Sequence, residues 1–186
     1  VESINISING LGANALGIVL SPNHKKAYVV DGAGNGIIVV DLVTRAVQDA
    51  VLLEGAGVFD IDVTPDGAKA YVTSASLDGV IAIDLKRSPP IPQTFIPVGN
   101  LPIGIKITDN GRLACVANFS EQTASIIKLA DQAVVKTVFV GQTPQYIAVK
   151  PNNKIAYVTT PSNNVIYQVN LNKRRPVFPP ISLTTN

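Results

Sequence analysis

Four short stretches of this chain share one pattern of apolar and polar positions: KAYVVD (Lys26–Asp31), KAYVTS (Lys69–Ser74), LACVAN (Leu113–Asn118) and IAYVTT (Ile155–Thr160). β-Branched and aromatic residues dominate them, as suits a pleated strand that packs on its neighbours. Upstream of each stands a short alternating apolar segment, such as Gly17-Ile18-Val19-Leu20 or Ile61-Asp62-Val63, and a polar turn separates the two. The turns read SPNHK (residues 21–25), TPDGA (64–68), TDNGR (108–112) and KPNNK (150–154). Proline presets φ in such turns, and Asn, Asp and Gly tolerate the left-handed region, so each unit is expected to open as a β-hairpin.

A third strand is predicted after each hairpin: GIIVVDL (36–42), GVIAIDL (79–85), TASIIKL (123–129) and NVIYQVNL (164–171). A looser fourth follows in AVQDAVLLEG (46–55), QTFIPVGN (93–100), VVKTVFVGQ (134–142) and PVFPPISL (176–183). Proline within this fourth strand fits an outer edge, where a missing ladder donor is tolerated. Tyr28 to Tyr71 is 43 residues, Tyr71 to Cys115 is 44, and Cys115 to Tyr157 is 42. A period near these values with four strands per unit is that of a propeller blade. The repeats fall at about 11–55, 56–100, 101–142 and 143–186, within one domain over residues 1–186.

Tyr71-Val72-Thr73, Thr64-Pro65-Asp66-Gly67 and Ile83-Asp84-Leu85 resemble the YVTN family of β-propeller repeats, over nearly the whole chain. The third repeat departs from the pattern. It has Asp109 in the proline position, Cys115 in the tyrosine position and Lys128 where the others carry Asp41, Asp84 or Asn170. The resemblance implies an all-β fold of about four four-stranded antiparallel blades. Proteins similar to this family include surface-layer and other exported proteins, so it also implies an extracellular, cell-surface or periplasmic location. Related propellers serve as lactonases and as dehydrogenase or haem-enzyme domains, and fold resemblance alone does not choose among these roles.

Residues 1–8, VESINISI, read as an extra outer strand placed before the first repeat. The last repeat already supplies its own fourth strand, so there is one strand too many. Either the chain forms a small closed four-bladed ring, or it is an arc of a larger propeller of about seven blades, the preferred reading. An open arc leaves blade edges exposed for pairing with another chain. The absence of a starting Met or signal peptide is read as the mark of a processed or excised chain.

Hydrophobic residues make up 46% of the chain at a mean hydropathy of +0.28, yet the apolar runs are strand-sized, so no membrane insertion is expected. Net charge is only +2, and the tract Lys173-Arg174-Arg175 reads as a solvated turn, so no nucleic-acid partner is expected. A single cysteine, Cys115, excludes an internal disulfide and a cysteine-rich zinc site, and is expected in the core.

Candidate chemistry is sparse. The one histidine, His24, sits in an exposed turn, so Ser-His-Asp or Cys-His catalysis has no base to build on. Asp60-Ile61-Asp62 with Asp66-Gly67 lacks the closing Glu of a calcium loop. Residues 32–36, GAGNG, join two strands instead of leading into a helix, so a hairpin reading displaces a phosphate loop. No catalytic residue, metal or cofactor is expected. Aligning the repeats on their turns places Val19, Asp62, Lys106 and Ala148 at one level of the innermost strands, and Gly17, Asp60, Gly104 and Tyr146 at another. Asp62 and Lys106 are therefore expected to form an inter-blade ion pair, because a lone buried charge is costly. The functional alternative is a polar ligand site at the channel mouth formed by Asp60, Asp62, Lys106 and Tyr146. Two sequons, Asn5-Ile6-Ser7 and Asn118-Phe119-Ser120, are candidate glycan acceptors, with a loop cap as the other reading of Asn118. The pattern as a whole reads as a noncatalytic exported scaffold that binds a protein, a glycan or a second copy. The alternative is part of a lactonase-like or dehydrogenase-like propeller enzyme.

Overall fold

Each polar turn closes on its own side chains. In the computed structural model, which describes residues 3–6 and 14–183, Ser21, Thr64 and Thr108 donate their hydroxyls to Asn23, Asp66 and Asn110 at 2.8, 2.6 and 2.8 Å. The same hydroxyl oxygens accept the N–H groups of Lys26, Lys69 and Leu113, which fixes where the returning strand begins. The fourth residue of each turn, His24, Gly67, Gly111 or Asn153, has φ between 56° and 68°, the left-handed conformation that the turn chemistry anticipates.

The first hairpin joins β1 (Ala15–Leu20) to β2 (Lys26–Asp31), and β3 (Gly36–Asp41) and β4 (Ala46–Leu52) complete the sheet. The second sheet comprises β5 (Val58–Val63), β6 (Lys69–Ser74), β7 (Gly79–Asp84) and β8 (Ile91–Pro97), and the third β9 (Pro102–Ile107), β10 (Leu113–Asn118), β11 (Thr123–Lys128) and β12 (Ala133–Phe139). The fourth comprises β13 (Ile147–Val149), β14 (Ile155–Thr160), β15 (Val165–Asn170) and β16 (Arg175–Ser182). In all four, strands lie side by side in chain order and antiparallel. A bulge recurs between the third and fourth strand of every sheet. Bulges of this kind strengthen the right-handed twist.

The apolar residues fill the spaces between sheets. Tyr28 and Val30 of the first sheet meet Val58, Ile61 and Val72 of the second. Tyr71, Val80, Ala82 and Ile96 of the second meet Ile105, Ile107, Ala114 and Val116 of the third. Cys115, Ala117 and Ile126 of the third meet Ala156, Val158 and Val169 of the fourth. The turns stack as well. Pro22 lies against Gly67 and Pro65 against Gly111, where an added Cβ would stand 3.4 and 3.2 Å from the proline Cδ. In the last junction Asp109 and Asn153 replace proline and glycine, and the Asn110 N–H donates to Asn153 Oδ1 at 3.3 Å.

The inner strands succeed one another as β1, β5, β9 and β13, and the fourth sheet does not close back on the first, so the sheets form an open arc. On the leading face of the first sheet Ile18 and Leu20 are 66% and 47% exposed, whereas the equivalent Ile105 and Ile107 are each 3% exposed under the second sheet. Residues 3–6 lie outside any strand, which corrects the expectation of an extra outer strand there; the remainder of residues 1–8 falls outside the described residues. Ile4 and Ile6 nevertheless pack on Ala27, Val29, Ile38 and Val40 of that leading face.

Candidate functional site

Strand register places one of the two levels inferred from the repeats. Val19, Asp62, Lys106 and Ala148 each pair with the residue at the repeat tyrosine position, namely Tyr28, Tyr71, Cys115 and Tyr157. At this level Lys106 Nζ lies 3.0 Å from Asp62 Oδ2, the ion pair that the alignment calls for. Asp62 is held further by main-chain donors: Oδ2 accepts the Ile107 N–H at 2.7 Å and Oδ1 the Val63 N–H at 3.0 Å. The Asp62 side chain is 6% exposed and that of Lys106 is 42% exposed, so the lysine reaches a buried carboxylate from the wet side.

One turn of the pleat away, Asp60 repeats the device. Its Oδ2 accepts the Ile105 N–H at 3.0 Å and its Oδ1 the Ile61 N–H at 2.9 Å. Thr73 Oγ1 accepts the Asp60 N–H at 3.0 Å and donates to Ile103 O at 2.8 Å. Two carboxylates and one hydroxyl of the second sheet thus stitch it to the backbone of β9. Burial pushes the Asp60 carboxyl above its ordinary 3.8, against the opposing pull of the Ile105 and Ile61 amides, with the Asp62 charge adding to the rise and Lys106 opposing it. Gly17 and Gly104 let the inner strands approach on either side. A Cβ at Gly17 would stand 3.0 Å from Asp60 Oδ1, and one at Gly104 would collide with Gln145 O.

The four residues grouped as a ligand site therefore separate into two environments. Asp62 and Lys106 are paired between blades, while Asp60 and Tyr146 border a cavity of about 320 Å³ with Gly17, Phe59 and Gln145. Tyr146 is 68% exposed at its rim. Among the described residues, no group of three or more His, Cys, Asp or Glu converges as a metal site.

Neither a protein-family model nor a curated protein sequence matches the chain. Solved structures do. Hydrazine synthase of Kuenenia stuttgartiensis superposes with a TM-score of 0.82 at 24% identity, over 97% of this chain and 54% of that one. Virginiamycin B lyase from Staphylococcus aureus gives 0.77 at 18% identity, over 92% and 56%. A β-propeller domain from Myceliophteria thermophila gives 0.72 at 12% identity, over 84% and 51%. The fold is a β-propeller arc. The chain spans about half the length of each of these neighbours, and at such identities the likeness concerns the fold alone.

Within the propeller arc the remaining candidates find structural places. His24 supplies the left-handed residue of the first turn. Asn118, offered as a glycan acceptor, is fully buried, and its Nδ2, the atom a glycan would need, donates to Thr123 Oγ1 and Ser125 Oγ at 2.9 Å each. It ties the loop between the second and third strands, as its alternative reading requires. Asn5 is exposed, while Ser7 of its sequon lies outside the described residues. Burial pushes the Cys115 thiol up to about 12, so it is an inert core group. Sequence reasoning missed Thr73 and the main-chain acceptors of the stitch, because a backbone N–H has no residue signature. It also passed over the basic residues of a larger cleft at the turn end of the blades, for which Lys128 was the available signal.

Proposed function

We propose that this chain is a noncatalytic scaffold of YVTN-type propeller repeats, working at the cell surface, outside the cell or in the periplasm, and binding through the faces at the two ends of its arc. One observation carries the reading: Ile4 and Ile6 cover Ala27, Val29, Ile38 and Val40 on the leading face, but positions buried between the first three sheets stand open at the two ends. Ile18 and Leu20 repeat the positions of the buried Ile105 and Ile107. At the other end Tyr157, Ile166 and Gln168 repeat Tyr71, Val80 and Ala82, and Tyr157 is only half-buried where Tyr71 is 1% exposed. The trailing face of one arc therefore matches the uncovered Ile18 and Leu20 part of another arc's leading face by the chain's own internal template. Because the two faces differ, such pairing is head-to-tail, and it closes or grows according to the rotation between copies.

The polar residues at the inner strands support the scaffold reading, since Oδ2 of Asp60 and of Asp62 each accepts an inter-blade hydrogen bond. The exported location rests on the YVTN resemblance. The experiment is sedimentation of the wild type beside Ile18→Lys and Tyr157→Glu. Each variant is expected to weaken association by about tenfold or more, as loss of a buried apolar anchor does. Association unchanged in both variants would overturn end-face binding.

A further inference from the structure

The turn end of the arc carries a cleft of about 790 Å³ that crosses the second, third and fourth blades. Its walls are basic: Lys69 and Lys86 from the second blade, Arg112 and Lys128 from the third, and Arg174 from the fourth. Tyr71, Leu113 and Leu129 give it an apolar floor. The acids facing it are few and engaged. Asp66 Oδ1 accepts the Thr64 hydroxyl and the Ala68 N–H, and Asp131 pairs with Lys128 Nζ at 2.7 Å in an exposed contact.

Lys128 is where the repeat pattern breaks. In the other blades the equivalent residue closes the turn before the fourth strand. Asp41 Oδ1 accepts the Val43 and Thr44 N–H groups, Asp84 Oδ1 accepts that of Lys86, and Asn170 Oδ1 that of Lys173. Lysine has no acceptor to offer, so the third blade gives up this cap. The cross-strand partner changes too: Lys26 faces Asp41 and Lys69 faces Asp84, but Leu113 faces Lys128. The third repeat has thus exchanged the acid of the first two for a cation on the wall, and like the fourth, where Ile155 faces Asn170, it has an apolar residue opposite. The i,i+3 ion pair of this turn survives with its sense reversed, Lys128 with Asp131 where the second blade has Arg87 with Asp84, and the reversal puts a cation on the cleft wall.

We infer that this cleft binds a small polyanion carrying two or more carboxylate or phosphate groups on an apolar or sugar body. Cations on three blades bracket an elongated ligand, and arginine and lysine are the side chains that take such groups by charge-assisted hydrogen bonds. The site lies at the opposite end of the inner strands from the Asp60 and Tyr146 cavity and is independent of the arc's end faces.

The test is calorimetric titration of the full chain with tripolyphosphate and with trigalacturonate at low salt, repeated for Lys128→Asp and Lys136→Asp. The first variant restores the acid of the first and second repeats at the loss of the exposed Lys128–Asp131 pair, and circular dichroism checks that it folds. The second makes the same charge change on β12, outside the cleft. Binding of either probe, weakened about tenfold or more by Lys128→Asp and left within about twofold by Lys136→Asp, supports the site. The tighter probe tells a phosphate ligand from a uronate one. Absence of binding by both probes, or equal weakening by both variants, overturns it. Should Lys128→Asp fail to fold by circular dichroism, Lys86→Ala carries the same comparison.

Discussion

Asp60 and Asp62 stand two residues apart on β5 and bear different electrostatic loads. Asp62 holds a buried main-chain N–H of the next blade and an ammonium together, so Asp62→Ala is expected to cost about 2–3 kcal/mol by orphaning the Ile107 N–H. Lys106→Ala leaves the carboxylate its two amide donors and is expected to cost about 1 kcal/mol, so urea unfolding should rank the two unequally. Asp60 titrates with the opposite sense to a salt-bridged acid. Its folded value lies above 3.8, so the native state keeps a proton that the unfolded chain has lost, and stability from this group falls as pH rises from 3.8 through the raised value. Asp60→Asn removes that slope. Urea unfolding between about pH 3 and 7 should show the wild type losing stability relative to the variant across this window. Of these residues the sequence revealed the Asp62–Lys106 pair, because both partners are charged side chains at one repeat position. It hid the Asp60 amide bonds, whose partners are backbone.

The blades themselves were legible because turn, strand and period recur together. Their limits followed from chemistry that the repeat carries: Pro or Asp, then Asn or Asp, then a left-handed residue. His24 meets that last requirement without being Gly or Asn, so His24→Gly is expected to relieve about 1 kcal/mol of backbone cost and raise the Tm by about 2–4 °C in calorimetry. The fourth blade was read from the same signals, yet its first strand holds only the three residues Ile147–Val149. Among the described residues the fourth sheet packs on the third and its trailing face is only half-buried. Amides of β13 and β14 are accordingly expected to exchange faster with deuterium than those of β5 and β6, which are covered on both faces. Equal protection in the two blades would contradict the half-buried trailing face.

Across the arc, closure was the point that pattern left open, since ring and arc share the same blades and differ only in one long-range contact between the first and the last. The structure leaves the two end faces apart, with Ile18 and Leu20 exposed where Ile61, Val63, Ile105 and Ile107 are buried, and Tyr157 half-buried where Tyr28 and Tyr71 are buried. Apolar surface of that kind drives association in water roughly in proportion to its area. Charge opposes this little, as the net charge is only +2. The most direct measurement is light scattering of the 186-residue chain across a range of concentrations. An open arc with matching faces gives a mass that grows with concentration, and Ile18→Lys should suppress the growth. A mass that stays at 19.6 kDa at all concentrations would contradict it.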